Sequence, residues 1–196
     1  MKGQSLLLSE NRLHLPRRRA FIGSTAVLSA GAVALLGGCE AMAAGSRAAD
    51  ETIASDVRIL NTALGAEYEA IAAYQVGAES GLLSRDVLNV AVAFQGHHKE
   101  HAEALAATVR KLGGQAVDSK SDYSFPVDTL HNQTDVLRFA AGLEKGAVSA
   151  YLGAVPVFGD RALAQVAASI LGDEAMHWAI LRQALGEPPV PSAFMS

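Results

Sequence analysis

The sequence lacks most of the features that mark specialised folds. Cys39 is the only cysteine among 196 residues, so no disulfide can form within the chain. Charged residues make up only 18% of the chain while half of it is hydrophobic, which excludes a disordered polymer. There is no excess of basic residues, because the formal charge is −4, and this argues against a general nucleic-acid binder. Long alternation of apolar and polar residues is also missing, so the pattern favours helices over strands.

The segment 1–38 has the character of an export signal. Five basic residues stand against one acid, and an apolar run rich in Gly, Ala and Ser follows from Phe21 to Gly38. That run is a poor membrane-spanning helix, but it suits a secretory signal. The segment Arg18-Arg19-Ala20-Phe21-Ile22 resembles a twin-arginine signal, which implies the twin-arginine export machinery as a partner. A retained membrane anchor or an unrelated basic start are the alternatives.

The end of this segment indicates a lipid anchor. Leu36-Gly37-Gly38-Cys39 resembles a bacterial lipobox, in which the cysteine is acylated and becomes the new N-terminus. We therefore expect an exported protein in the periplasm or cell envelope, attached to the membrane through Cys39. The alternative is a stray cysteine with cleavage after residues 41–43. Removing residues 1–38 takes away five bases and one acid, so the mature net charge becomes −8.

The remainder divides into a linker over residues 39–50, a helical region over 51–186 and a tail over 187–196. Four segments carry apolar residues at helical spacing, and glycines separate them at Gly81, Gly113 and Gly159. Asp160 is a candidate N-cap for the fourth helix. Helices 1 and 2, and helices 3 and 4, are joined by short turns, whereas a long polar connection over 113–132 joins helices 2 and 3. The predicted fold is all-α: four helices in a bundle, with one long crossover between helices 2 and 3.

The two halves of the helical region resemble each other. An acid and a tyrosine of helix 1 recur at the same spacing in helix 3, and a polar residue three positions before a histidine in helix 2 recurs in helix 4. Such self-similarity indicates a duplicated unit. The matched residues are Glu67 with Glu144, Tyr74 with Tyr151, Gln95 with Glu174, and His98 with His177.

Six polar residues lie on the helical stripes where Leu or Ala is expected. Burying unpaired carboxylates is costly, and no Lys or Arg lies on the stripes to balance them. A bound divalent cation would supply the missing charge, and residues three apart on a helix can reach one ion. Carboxylate with imidazole suits iron, manganese or zinc better than calcium. The alternative is a metal-free bundle with a hydrated polar core. The six residues are Glu67, Gln95, His98, Glu144, Glu174 and His177.

This arrangement resembles the ferritin-like superfamily, which includes ferritins, rubrerythrins and di-iron carboxylate oxidases. The resemblance covers residues 51–186, and the family pattern is an acid on each of two helices and Glu-x-x-His on each of the other two. It implies metal ligands at Glu67, His98, Glu144, Glu174 and His177, with Glu174 as a bridging carboxylate. Gln95 stands where the family has the second bridging Glu. Because an amide is a weaker ligand, we expect weak or single metal occupancy.

Other residues near these positions have smaller expected roles. His101 lies about one turn beyond His98 and is a candidate additional or substitute ligand, as is the amide of Gln95. Tyr74 and Tyr151 are expected to be core residues that hydrogen-bond across the bundle near the ligands, with redox activity as the alternative. His97 points about 100° away from His98 on the helix and is expected at the surface.

Two functions follow from this interpretation. The first is a metal-binding oxidoreductase of the di-iron carboxylate type that handles iron or reactive oxygen species, with iron as the expected cofactor (one or two ions) and manganese or zinc as alternatives. The second is a non-enzymatic envelope stress or structural module with a degenerate metal site. Gln95 favours the second function, whereas the Glu-x-x-His of the fourth helix favours the first. A lipid anchor on every chain suits a closed 24-subunit cage poorly, and the sequence leaves the oligomeric state open, with a dimer as one form.

Overall fold

The computed structural model describes the backbone of residues 37–195 and the side chains of residues 46–195. This part of the chain forms four α-helices and no strand: α1 (Gly37–Glu79), α2 (Arg85–Lys111), α3 (Gln133–Ala154) and α4 (Arg161–Ala184). None of these helices has an apolar stretch that could cross a bilayer. The predicted signal with Arg18 and Arg19 lies outside the described residues, and so does the side chain of Cys39.

The helices begin and end where local chemistry requires it. Gly81 and Gly113 follow α1 and α2 with φ angles of 70° and 80°, a left-handed conformation that glycine adopts without steric cost. Asp160 caps α4, since its carboxylate accepts a hydrogen bond from the Ala162 N–H at 2.6 Å. Asn132 caps α3 in the same way, accepting from the Asp135 N–H at 3.1 Å.

The crossover runs the length of the bundle. α1 packs along α2 and α3 packs along α4, each pair joined by a short turn. The Ser84 N–H donates to Gln133 Oε1 at 2.7 Å, which places the starts of α2 and α3 at the same end. At the other end Asn61 holds the beginning of the crossover, donating to the Gln115 carbonyl and accepting from the Val117 N–H, both at 2.9 Å. The predicted all-α bundle with one long crossover is therefore confirmed.

The first helix extends beyond the region that composition assigns to the bundle. Residues 39–50 are predicted to be a linker, but the backbone is helical from Gly37 onward. Alanine is abundant in this segment and has the highest helix propensity, which accounts for the difference. Side chains of residues 46–54 are exposed, including Ile53 on the apolar stripe of helix 1, so this part of α1 protrudes from the bundle.

Two apolar clusters enclose a polar layer in the middle of the bundle. Each fully buried aliphatic or aromatic side chain contributes about 1.5–3 kcal/mol, so the two clusters supply the stability that lets the middle layer remain polar. One cluster is centred on Leu60, Leu64, Leu105, Val109 and Ile170, and the other on Tyr74, Phe94, Leu137, Ala141 and Leu181.

Candidate metal centre

The polar layer brings together acids and imidazoles from all four helices. Glu67 of α1, Glu144 of α3 and Glu174 of α4 are each no more than 3% exposed, and His98 and His177 are 1% exposed. His101 of α2 joins them with a side chain that is 14% exposed. Five of these six residues are the ligands that the family resemblance implies, and the sixth is the candidate substitute.

One group of ligating atoms lies between α1, α2 and α4. His98 Nδ1 is 2.8 Å from Glu67 Oε2, and His101 Nδ1 is 3.1 Å from Glu174 Oε1. The donor atoms of these four residues all lie within 4.8 Å of one another. A single cation could therefore contact all four.

A second group shares two of those residues. His98 Nε2 lies 3.3 Å from Glu144 Oε1, and His177 Nδ1 lies 3.5 Å from the same oxygen and 3.6 Å from Glu174 Oε2. His98 and Glu174 therefore belong to both groups, with the two ring nitrogens of His98 facing one group each. The arrangement is that of two adjacent cation positions with His98 and Glu174 between them.

Gln95 lies outside this cluster, contrary to the position that the family resemblance implies. Its amide nitrogen donates to the Ile71 carbonyl and to Gln75 Oε1, and its oxygen accepts from Lys99 Nζ, all at 2.9 Å. Both ends of the amide are thus held by α1 and by a lysine. One helical turn separates residues 95 and 98, so both lie on the buried stripe, and only His98 meets the acids.

The correspondence between α2 and α4 therefore differs by three residues from the predicted pairing of Gln95 with Glu174. His98 corresponds to Glu174 and His101 corresponds to His177, and the separation along the chain is the same for both pairs. The first pair lies between the two groups of ligating atoms, and the second pair lies at their outer sides. His98-x-x-His101 thus takes the place of a Glu-x-x-His, and an imidazole stands where the family pattern has a bridging carboxylate.

The two tyrosines follow the same symmetry. Tyr151 donates a hydrogen bond to Glu67 Oε1 at 2.6 Å, and Tyr74 donates one to Glu144 Oε1. Each tyrosine therefore holds the acid of the other half of the bundle. These hydrogen bonds fix the orientation of both outer carboxylates and leave their remaining lone pairs for the cluster.

Several buried polar atoms of the cluster have no hydrogen-bond partner among the described residues. Buried donors and acceptors are satisfied in the great majority of cases, so a concentration of exceptions at one place calls for a bound group. Cations at the two positions would provide partners for such atoms, and the carboxylate and imidazole donor set fits iron, manganese or zinc. The atoms are His101 Nδ1, Glu144 Oε2, Glu174 Oε1, Glu174 Oε2 and His177 Nδ1.

Without a metal, the imidazoles carry the balancing charge. Burial alone would lower the pKa of His98, but its hydrogen bonds to Glu144 and Glu67 outweigh burial and raise the pKa to about 10. For His101 and His177 the neighbouring carboxylates likewise overcome burial and raise the pKa to about 9. Burial raises the pKa of Glu174, with the adjacent Glu144 acting in the same direction. Metal and protons therefore compete for the same nitrogens.

Asp173 supports the cluster from outside, and sequence reasoning missed it. Its Oδ2 lies 3.2 Å from His177 Nε2 and 3.4 Å from His101 Nε2, while the Nδ1 atoms of both rings face the cluster. A carboxylate on the far nitrogen of a ligating imidazole fixes the ring and increases its basicity. The sequence feature that could have indicated this role is the position of Asp173 directly before Glu174, next to the buried stripe of α4.

A cavity of about 470 Å³ between α1 and α3 reaches the polar layer. Its walls are mainly small residues, among them Ala63, Ala66, Ala147 and Ala150, and its lining includes Glu67, His98 and Glu144. Small side chains on both helices leave this gap because they cannot fill the space between the two backbones. Small molecules therefore have room beside the carboxylates.

Comparisons with known proteins agree with this fold. A family model described as the ferritin-like domain matches residues 55–187. No curated protein matches the sequence. The chain is similar to the solved structure of the Desulfovibrio desulfuricans bacterioferritin, described for its diiron site in different catalytic states (20% identity, TM-score 0.64, 70% of this chain and 81% of that one).

Two further solved structures have the same fold. One is a dodecameric thioferritin from Bacteroides fragilis, with 23% identity, a TM-score of 0.60 and coverage of 68% of this chain and 86% of that one. The other is a conserved hypothetical protein from Mycobacterium tuberculosis, with 20% identity, a TM-score of 0.63 and coverage of 72% and 97%. With the family model spanning the whole bundle, the chain belongs to the ferritin-like domain family.

Proposed function

We propose that this chain is an exported ferritin-like protein whose central cluster binds iron and acts in iron(II) oxidation or in the removal of reactive oxygen species. The observation that carries the proposal is the set of five buried ligating atoms without hydrogen bonds, all pointing into one layer of the bundle. The diiron site named for the similar bacterioferritin supports iron over zinc or manganese.

The residues of the chain have separate tasks in this function. Glu67, Glu144 and Glu174 would bind the metal with His98, His101 and His177, and the tyrosines hold the two outer acids in place. Bound iron would supply electrons to dioxygen or peroxide. The cavity between α1 and α3 gives such small oxidants a route to the carboxylates, while the apolar clusters on both sides keep bulk water out.

His98 limits how many ions the cluster holds tightly. A neutral imidazole has one lone pair for a metal and one N–H, so it cannot bridge two ions as a carboxylate can. The cluster also offers three carboxylates instead of the four of the family pattern. We therefore propose about one tightly held ion per chain, with a second position that is weak.

We also propose export by the twin-arginine route and attachment through an acylated Cys39. The support is the Arg18-Arg19 pair before a weakly apolar segment and the lipobox-like sequence before the single cysteine. The exposed first part of α1 would lie between the anchor and the bundle. A folded export route would allow the metal to be loaded before translocation.

Metal analysis of the purified mature protein, made without a His-tag, tests the iron centre. We expect about one iron per chain after anaerobic loading, and iron(II)-dependent oxygen consumption. Glu174→Gln should lose both, because Glu174 belongs to both groups of ligating atoms. Glu103→Gln is the matched control, since this acid is exposed on α2. Equal iron content in wild type and Glu174→Gln would contradict the proposal.

A non-enzymatic role is the second candidate, and the charge balance of the cluster favours it. Three imidazoles with raised pKa values oppose three carboxylates, so the bundle can fold without metal. In this case the protein would be an envelope module that keeps the fold and has lost the chemistry. Wild-type protein that stays metal-free after loading with iron, manganese and zinc would favour this role.

A further inference from the structure

A third group of ligating atoms lies on the outer side of His177, away from the central cluster. His97 Nδ1 is 2.9 Å from His177 Nε2 and 3.2 Å from Asp173 Oδ2, and His177 Nε2 is itself 3.2 Å from that oxygen. The three atoms thus form a nearly equilateral triangle. None of the three atoms faces the central cluster, which His177 meets through Nδ1 instead.

The spacing of this triangle fits a cation. Donor atoms bound at about 2.1 Å and at right angles to one another stand about 3 Å apart. Two imidazole nitrogens and one carboxylate oxygen on one face of an ion form a known binding pattern for divalent iron, and the remaining positions are open to water.

The exposure of the triangle changes from one residue to the next. The His97 side chain is 46% exposed, Asp173 is 23% exposed and His177 is 2% exposed. The ring of Phe94 stacks on His177 with centroids 3.9 Å apart, which holds that imidazole in position between the solvent side and the cluster. A cation arriving from solvent would therefore meet His97 and Asp173 first, and His177 borders both sites.

We propose that His97, Asp173 and the Nε2 side of His177 form a surface site for a divalent cation, which captures the ion before it reaches the central cluster. The capture role rests on the proposed iron centre. Binding at the surface triangle does not, because it uses His177 Nε2 instead of Nδ1. A neutral imidazole has one lone pair, so His177 serves one site at a time, and its proton moves from Nδ1 to Nε2 when the ion passes to the cluster.

Cobalt(II) is the probe for a test that separates the two sites. The variant Glu67→Gln/Glu144→Gln weakens the central cluster while keeping side-chain size, and we expect it to retain one cobalt ion per chain by equilibrium dialysis. Adding His97→Ala should weaken this ion about tenfold or more. His131→Ala is the matched control, since this exposed histidine lies in the crossover. In the wild-type background, His97→Ala should slow iron uptake without changing the final iron content, because His177 serves the central cluster once that cluster is filled and the surface site then holds no ion tightly.

The outcomes distinguish this inference from the proposed function. Cobalt affinity and stoichiometry that His97→Ala leaves unchanged in the centre-weakened variant would overturn the surface site, and Asp173 would then act only by orienting His101 and His177. Cobalt lost with His97, in a protein whose centre binds no iron, would support the surface site and contradict the iron centre. His97→Gln provides the same comparison if the alanine variant is poorly folded by circular dichroism.

Discussion

At the scale of single residues, His98 decides what kind of centre this is. Its Nδ1 lies 2.8 Å from Glu67 and its Nε2 lies 3.3 Å from Glu144, so one ring occupies the space between the two acids. A carboxylate there would add a negative charge and a bridging ligand. The imidazole adds neither when it is neutral, and it balances the acids when it is protonated.

Replacing this ring with a carboxylate should therefore raise metal content. We predict that His98→Glu binds close to two iron ions per chain, against about one in wild type, because the fourth carboxylate restores a bridging ligand. Gln95→Glu is the comparison and should leave metal content unchanged, since the amide contacts Ile71, Gln75 and Lys99 instead of the cluster. Elemental analysis of the three proteins gives the answer. A rise in Gln95→Glu alone would restore Gln95 to the metal site.

The tyrosine hydrogen bonds have a measurable effect on stability. Tyr151→Phe removes the donor to Glu67, and we predict a loss of about 1.5–3 kcal/mol in the unfolding free energy of the metal-free protein, as for hydrogen bonds to charged groups. Tyr68→Phe is the control and should change it by less than about 0.5 kcal/mol, because this tyrosine only packs against the apolar cluster. Urea unfolding measures both, and equal effects would show that the Glu67 hydrogen bond contributes little.

At the scale of helices, the register of α2 explains what the sequence could and could not predict. The four helices, the crossover and the Asp160 cap follow from periodicity and glycine positions. The ligand set in α2 does not, because residues 95, 98 and 102 all lie on the buried stripe. Gln95 resembles Glu174 in shape, so pairing the halves by residue type matches these two and shifts α2 by three positions. Only the side-chain positions show that His98 and His101 are the residues facing α4.

Asp173 was missed for a related reason, and so was the contact that His97 makes with it and with His177. Each lies one residue away from the stripe, where a helical projection predicts a surface position. A projection of one helix does not include its neighbour. Because α2 and α4 pack side by side, residues that flank the buried stripe of each helix contact one another on the solvent side of His177. Half-exposed His97 is thus near the surface, as predicted, and also beside a buried ligand.

Asp56, near the middle of α1, joins this helix to the turn before α4. It is 2% exposed and accepts hydrogen bonds from the Gly159 N–H at 2.8 Å and the Asp160 N–H at 3.0 Å. We predict that Asp56→Ala lowers the unfolding free energy by about 3 kcal/mol, because two backbone donors lose their acceptor. Asp50→Ala, an exposed position on the same helix, is the control for thermal unfolding. Equal melting temperatures for both variants would contradict this role.

At the scale of the whole molecule, the bundle places a polar layer between two apolar clusters and leaves the first part of α1 outside. The family pattern accounts for the layer. With the proposed lipid anchor at Cys39, the first part of α1 would separate the bundle from the membrane.

Cell fractionation tests the proposed location. We predict that replacing Arg18 and Arg19 with lysine leaves precursor in the cytoplasm, and that Cys39→Ser releases the protein from the membrane fraction or blocks processing. Lys2→Arg is a matched change of a basic residue in the same segment and should export normally. Mass spectrometry of the wild-type protein should find an acylated Cys39 at the N-terminus. An unmodified N-terminus near Ala44 would rule out the anchor.

An anomalous-difference map of iron-loaded crystals, recorded at the iron absorption edge, reports directly whether the polar layer is a metal centre and which residues bind there. We predict a strong peak within bonding distance of Glu174 and of Nδ1 of His101 or His177, at most a weaker second peak across His98, and no density bonded to Gln95. An empty layer after iron loading, or a peak held by Gln95, would contradict the proposed metal centre and its ligands.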